Sequence, residues 1–247
     1  MSSFGKILNQ KSIYNLLKRI YYLPSRERPL SMEDVCLYLV DGKASREDIK
    51  TIAQEFYKDE RFFFETNKLS FNYRGKPVVP AGWSIVHYII TRILKPDVIV
   101  ETGVFDGHSS ACWLLALSVN KSGKLISIDL PATKPITDSI NLSLPGDVQP
   151  GWIIPDYLKN RHELFLGDAK TLLPKIFESN SNVDIFFHDS LHTEEHMLFE
   201  FETAYSSMKH GIILSDDYKA YNSYSKFCNR KGIRRFYSYN GLAAVKF

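Results

Sequence analysis

Hydrophobic positions in the first 80 residues recur at helical spacing. Apolar residues at three- and four-residue intervals predict amphipathic helices over about 4–21 and 31–40. A third helix is predicted after Ser45, which is followed by acids suited to a helix start. From Arg61 to Val79 the chain is aromatic and irregular, and no regular element is predicted there. We therefore expect residues 1–80 to form an N-terminal helical appendage.

After Pro80 the pattern changes to short apolar runs that alternate with helical stretches. This alternation predicts an α/β fold, a mostly parallel sheet covered by helices on both faces. The Asn240-Gly241 pair suits a type I′ turn, so the last two strands are expected to form an antiparallel hairpin. We predict a core domain over residues 81–247 with seven strands, at 97–102, 124–129, 163–166, 183–188, 211–215, 233–239 and 242–247.

Composition and charge narrow the class of protein. The 247 residues are 44% hydrophobic and 24% charged, which is typical of a folded globular domain. A net charge of +3 is too weak to indicate nucleic-acid binding. The start of the chain lacks the apolar core of a signal peptide, no run is long enough to span a bilayer, and the three cysteines match neither a disulfide framework nor a metal spacing. We expect a cytoplasmic protein without a transmembrane segment.

Acidic side chains follow each of the five predicted parallel strands. In open parallel sheets, ligands bind beyond the carboxyl ends of the strands. Acids that recur at that single edge therefore indicate a site, although Asp and Ser also serve there as helix caps. The candidate residues, in strand order, are Glu101, Thr102, Gly103, Gly107 and Ser109; Asp129; Asp168 and Ala169; Asp189 and His192; and Asp216 and Asp217.

Spacing around the first two strands favours a nucleoside ligand. Gly103 and Gly107 lie between a strand and a helix, where glycine lets the backbone approach a ligand closely. Their Gly-x-x-x-Gly spacing lacks the middle glycine of the dinucleotide motif. Asp129, 22 residues after Gly107, is placed to accept hydrogen bonds from a ribose diol. Asp189, Asp216 and Asp217 supply oxygens that suit a hard cation such as Mg²⁺.

Three other functions remain open on these residues alone. Gly107-His-Ser109-Ser-Ala111 imitates the nucleophile turn of a serine hydrolase, with Asp189 and His192 or His210 completing a triad. A non-catalytic nucleoside-binding domain would use Asp129 and would have no use for the paired acids at 216–217. A nicotinamide-dependent oxidoreductase is disfavoured by the missing glycine.

Over residues 80–247 the chain resembles the class I S-adenosylmethionine-dependent methyltransferases. Glu101-Thr-Gly-Val-Phe-Asp-Gly107-His-Ser109 is similar to their first motif, with Phe105 at the position of its central glycine. The stretches Phe187-His-Asp-Ser-Leu-His192 and Ser215-Asp-Asp-Tyr218 resemble the metal-dependent small-molecule O-methyltransferases, which include the macrocin-type sugar enzymes. Ser190 and Leu191 stand where that branch often has Gly and Asp.

The resemblance implies a Rossmann-like sheet and methyl transfer to a hydroxyl of a small-molecule acceptor, such as a sugar. S-adenosylmethionine would be bound by Glu101, Thr102, Gly103, Gly107, Ser109, Asp129, Asp168 and Ala169. Magnesium would be held by Asp189, Asp216 and Asp217, and Asp189 or His192 would take the acceptor's proton. The appendage would then cap the substrate or form a dimer contact, which leaves a homo-oligomer open.

Overall fold

A computed structural model describes residues 26–78, 81–131, 144–145 and 147–247. The predicted helix over 4–21 and most of the segment between Leu130 and Gly151 lie outside these residues. The described helices are α1 Met32–Val40, α2 Arg46–Tyr57, α3 Glu60–Arg74, α4 Ser84–Leu94, α5 His108–Asn120, α6 Ala169–Ser179, α7 Glu194–Ser207 and α8 Ser223–Arg230. The strands are β1 Arg26–Pro29, β2 Val98–Thr102, β3 Lys124–Asp129, β4 His162–Leu166, β5 Val183–His188, β6 Ile212–Ser215, β7 Arg235–Tyr239 and β8 Leu242–Lys246. Short 3₁₀ helices cover Asp156–Arg161 and Ala220–Asn222.

All eight of these strands form one sheet, in the order β1-β7-β8-β6-β5-β2-β3-β4. Strands β4, β3, β2, β5 and β6 run parallel, whereas β8 pairs antiparallel with both β6 and β7. Asn240 and Gly241 both have positive φ, as a type I′ turn requires, so the predicted terminal hairpin is confirmed. The seven predicted strands are present, and β1 adds an eighth by pairing parallel with β7.

Helices cover both faces of the sheet. One face packs under α4 and α5 through Ile99, Ile185 and Phe187, and the other packs under α6, α7 and α8. Helices α1 and α2 join the first of these cores with Val35 and Phe56. The N-terminal segment is therefore continuous with the core of the sheet, while the boundary at residue 80 stays a prediction.

The start of α2 follows the predicted capping pattern. The Ser45 hydroxyl accepts a hydrogen bond from the Asp48 backbone N–H at 3.2 Å, and the Ser45 N–H donates back to the Asp48 carboxylate at 2.8 Å. The prediction of an irregular stretch from Arg61 to Val79 is wrong, because α3 occupies most of it. Asp59 caps α3 by accepting from the Phe62 N–H at 2.8 Å. No helix in the described part of the chain is long and apolar enough to cross a membrane.

Candidate active site

The predicted strand ends meet at one edge of the sheet. Backbone hydrogen bonds continue the pairing beyond the last strand residue and so hold the following loops side by side. They run from the N–H groups to the carbonyls of the neighbouring strands as follows: Gly167 to Asp129 (2.8 Å), Gly103 to Ile128 (2.9 Å), Asp189 to Thr102 (2.8 Å) and Asp216 to His188 (2.9 Å). The ends of all five parallel strands therefore border one surface.

The loops that follow β2 and β5 lie in backbone contact. Gly103 has φ +81°, and a Cβ atom there would overlap the carbonyl oxygen of Asp189. Gly107 has φ +94° where α5 begins, and a Cβ atom there would lie 2.6 Å from the Cα of Gly151. Glycine is required at both positions because a side chain would push these loops apart.

Asp129 holds the glycine-containing loop in place. Its Oδ2 accepts hydrogen bonds from the backbone N–H groups of Val104, at 2.9 Å, and Phe105, at 2.7 Å. Its Oδ1 accepts from the Leu130 N–H at 2.7 Å. Burial raises the pKa of this carboxyl above its ordinary value, and the three N–H donors oppose that shift. The acid predicted to contact ribose therefore also fixes the backbone conformation beside it.

Asp189 and Asp216 form a pair of neighbouring carboxyl groups whose charges influence each other. Burial, together with the neighbouring Asp216 carboxylate, raises the pKa of Asp189 well above its ordinary value. Burial also raises the pKa of Asp216, against a hydrogen bond from Trp83 that lowers it. His192 Nε2 lies 3.9 Å from Asp189 Oδ1. The two predicted proton acceptors are therefore neighbours.

The three acids predicted to hold magnesium lie near one another, since the charges of Asp216 and Asp217 both raise the pKa of Asp189. Asp217 is exposed and has φ +44°. Among residues 26–78, 81–131, 144–145 and 147–247, no group of three or more Asp, Glu, His or Cys side chains is placed to hold a metal ion. We therefore assign no chemical step to a metal.

A cavity of about 330 Å³ opens beside the carboxyl pair. It is lined by Asp217, Tyr218, Lys219, Ala220 and Gly241. The loop that forms it contains three non-glycine residues with positive φ, at Asp217, Tyr221 and Asn222. Such conformations are unfavourable for L-residues and concentrate at functional sites.

Two predicted cofactor contacts, Glu101 and Thr102, have buried side chains. Glu101 accepts hydrogen bonds from Ser110 and from Ser127 Oγ, the latter at 2.7 Å, and its Oε2 has no hydrogen-bond partner among the described residues. Burial raises the pKa of Glu101 to about 7. Thr102 donates its hydroxyl to Glu200 at 2.5 Å. Both side chains act within the protein rather than at the open edge.

The other predicted cofactor residues lie where helices begin. Ser109 is buried in the first turn of α5, which has no side-chain cap at Gly107. Asp168 caps α6 by accepting from the Lys170 N–H at 2.8 Å, and Ala169 is buried beside it. The cap gives Asp168 a structural role. Its position just after β4 also places it at the edge of the sheet where the other strand-end acids lie.

Sequence patterns missed two further contacts. Arg74, at the end of α3, forms a salt bridge of 2.5 Å with Asp106 in the glycine-containing loop, and Trp152 Nε1 donates to the same carboxylate at 2.8 Å. Glu200 binds four side chains inside the protein. The spacing of His196 and Glu200, four apart on one helix, is the only signal of this cluster in the sequence.

Residues 100–218 match the sequence model of a family described as a methyltransferase domain. The matched residues cover just under half of the chain, from the end of β2 to the loop that follows β6. No curated protein matches the chain in sequence. The fold is similar to the crystal structure of a methyltransferase from Geobacter sulfurreducens, with 18% identity and a TM-score of 0.50 over 76% of this chain and 89% of that one.

Two natural-product methyltransferases share weaker structural likeness. The O-methyltransferase TomG from Streptomyces achromogenes, solved with S-adenosylmethionine, has 16% identity and a TM-score of 0.48 over 72% of this chain and 76% of its own. The calicheamicin methyltransferase CalS11 has 15% identity and a TM-score of 0.47 over 87% of this chain and 91% of its own.

The residues at this edge of the sheet fit S-adenosylmethionine, the cofactor that the resemblance implies. The uncapped first turn of α5 leaves N–H groups that suit a carboxylate, as the methionine part of S-adenosylmethionine carries. The partly buried Asp129 carboxylate lies at the next strand end, where a ribose hydroxyl can donate to it. The serine-hydrolase alternative loses its basis, since Ser109 lies buried within the first turn of a helix rather than at the apex of the turn before it.

Proposed function

We propose that the enzyme transfers the methyl group of S-adenosylmethionine to a hydroxyl oxygen of a small-molecule acceptor. The observation that carries this proposal is the contact between Gly103 and Asp189, because it sets the backbone of Asp189 directly against the loop that would hold the cofactor. Asp216 and His192 lie beside the same carboxyl. A proton acceptor and the cofactor loop therefore share one surface.

When bound, S-adenosylmethionine supplies a methyl group that is already electrophilic, so the protein's task is mainly to position and deprotonate the acceptor. Asp189 receives the hydroxyl proton as the oxygen bonds to the methyl carbon and the carbon–sulfur bond breaks. The neighbouring Asp216 carboxylate raises the proton affinity of Asp189, and His192 is the second candidate base. The cavity beside Asp217 is the proposed site of the acceptor.

An acceptor panel tests the proposed class of reaction. Purified enzyme is incubated with methyl-labelled S-adenosylmethionine and with sugars, phenols, amines and thiols of similar size. We expect labelled methyl ethers with at least one hydroxyl acceptor, identified by mass and by the position of the label. Label that appears only on nitrogen or sulfur would contradict the proposal.

Two finer points of the proposal need tests of their own. The magnesium ion that the resemblance implies stays a prediction; recovery of activity on adding Mg²⁺ after chelation would confirm it, and full activity in the chelator would contradict it.

A cytoplasmic location is also proposed and is tested by cell fractionation. Cys36, Cys112 and Cys228 are buried free cysteines, as a protein of a reducing compartment would have.

A further inference from the structure

A carboxylate inside the protein joins the ends of two central strands. Glu200, on α7, is fully buried. Its Oε2 accepts hydrogen bonds from Thr102 Oγ1 at 2.5 Å and pairs with His188 Nδ1 at 2.6 Å. Its Oε1 accepts from Ser190 Oγ at 2.8 Å and pairs with His196 Nε2 at 2.8 Å. Both carboxylate oxygens are thus bonded twice.

The charge of this buried group is balanced locally. An isolated carboxylate is very unfavourable in a protein interior, whereas one that accepts several hydrogen bonds is tolerated. The imidazoles of His188 and His196 hold the pKa of Glu200 well below its ordinary value, so the group stays ionised. His188 also packs its ring against Phe201, with 5.2 Å between ring centroids. The Glu200 carboxylate is therefore fully hydrogen-bonded, while the buried His188 Nε2 has no hydrogen-bond partner among the described residues.

The bonded partners of Glu200 surround the active-site loop. His188 and Ser190 are the residues immediately before and after Asp189, and Thr102 immediately precedes Gly103. The Asp189 N–H in turn donates to the Thr102 carbonyl at 2.8 Å. The Glu200 side chain thus bonds the residues on both sides of Asp189 and the residue that leads into the cofactor loop.

We propose that Glu200 is a positioning residue, which sets Asp189 against the cofactor loop by bonding Thr102, His188 and Ser190 at once. It touches neither the cofactor edge nor the acceptor cavity, and it acts through the backbone of its partners. The inference rests on the proposed function only for the role of Asp189. The placement of the two loops is a separate claim that can be tested without any acceptor.

The test compares Glu200→Gln with Glu202→Gln. Glutamine keeps the shape of the side chain but loses the charge and replaces one accepting oxygen with a donor, so the hydroxyl and imidazole that donated to that oxygen can no longer do so and every bond loses its charge assistance. Glu202 lies two residues further along the same helix, is partly exposed and forms a salt bridge of 2.7 Å with Arg230. It is therefore a matched control for the loss of a carboxylate from α7.

Three measurements distinguish positioning from general stability: affinity for S-adenosylhomocysteine, amide hydrogen exchange of the bound protein, and kcat and KM with the best acceptor of the panel. For Glu200→Gln we expect kcat to fall at least tenfold. KM for S-adenosylmethionine and the affinity for S-adenosylhomocysteine should stay within threefold of the wild-type values. Amide exchange should be faster only in segments 101–105 and 187–193. Glu202→Gln should match the wild type. Ser190→Ala removes one of the four bonds and should lower kcat by three- to tenfold. This variant takes the place of Glu200→Gln in the test if Glu200→Gln fails to fold.

Other results would overturn the proposal. Unchanged kcat in a folded Glu200→Gln or Ser190→Ala variant would do so, as would exchange that rises throughout the chain together with a loss of cofactor affinity. If the wild type methylates no acceptor, the proposed function fails, and the positioning role is then decided by the exchange pattern and the S-adenosylhomocysteine affinity alone.

Discussion

Replacing Gly103 by alanine should separate the two loops of the active site. The new Cβ atom would lie 1.9 Å from the Asp189 carbonyl oxygen and 2.3 Å from its carbonyl carbon, so the gap must widen by about 1.5 Å to reach ordinary contact. Residue 103 would also keep a left-handed φ of +81°, which disfavours alanine by about 1 kcal/mol. Overpacking against backbone adds about 2 kcal/mol. We expect unfolding free energy to fall by about 3 kcal/mol in total.

Gly42→Ala is the matched control for this variant. Gly42 has φ +76°, but a Cβ atom there meets no atom within 4 Å, so only the backbone penalty of about 1 kcal/mol applies. Urea unfolding measures the unfolding free energy of both variants, and calorimetric titration measures the affinity of both for S-adenosylhomocysteine. We expect at least a tenfold loss of affinity in Gly103→Ala alone. Equal stability and equal affinity in the two variants would refute the close approach of Gly103 and Asp189.

Three further substitutions test other parts of the site. Arg74→Ala removes the half-buried pair with Asp106, and we expect about 1 kcal/mol lower unfolding free energy by thermal denaturation. Asp129→Asn should weaken S-adenosylhomocysteine about tenfold by calorimetry, the equivalent of one lost charge-assisted hydrogen bond. Burial raises the pKa of Glu101 from 4.5 to about 7, so its stabilising contribution is complete below pH 4.5 and is lost as pH rises through 7. Glu101→Gln should abolish that fall of about 3 kcal/mol in urea unfolding.

Each of these three has an outcome that contradicts it. Unchanged stability of Arg74→Ala would show that the bridge from α3 contributes nothing measurable. Wild-type affinity for S-adenosylhomocysteine in Asp129→Asn would show that this carboxylate does not support the cofactor loop. A stability profile of Glu101→Gln that still falls between pH 4.5 and 7 would assign the pH dependence to other groups.

Local sequence signals were sufficient for much of the fold. The β5 run ending in His188 is a mostly apolar strand of a parallel sheet, and Asn240-Gly241 specifies the turn of the hairpin between β7 and β8 without help from the rest of the chain. The strand-end acids followed from the same reasoning, because parallel strands end at one edge. Gly103 was identified from its place between a strand and a helix, although its contact with Asp189 depends on tertiary structure.

The missed features depend on contacts between distant segments. Helix α3 is rich in aromatic residues with modest helix propensity, and Phe62 becomes buried only against the core that α2 and α4 provide. Strand β1, Arg-Glu-Arg-Pro, has no apolar alternation; it forms because Glu27 reaches Ser238 Oγ at 2.8 Å and Tyr218 across β7. The burial of Glu200 likewise depends on its contact with His188, and no local sequence pattern predicts that contact.

Methyl transfer by Asp189→Asn is the most direct test of the active site. The labelled-methyl assay is run on this variant and the wild type with the best hydroxyl acceptor at saturating S-adenosylmethionine, and the affinity for S-adenosylhomocysteine is measured alongside. We expect kcat to fall by about 100-fold or more, the range of general-base catalysis, while the affinity stays within threefold. Wild-type kcat in a variant that binds S-adenosylhomocysteine normally would contradict the assignment of Asp189 as the proton acceptor.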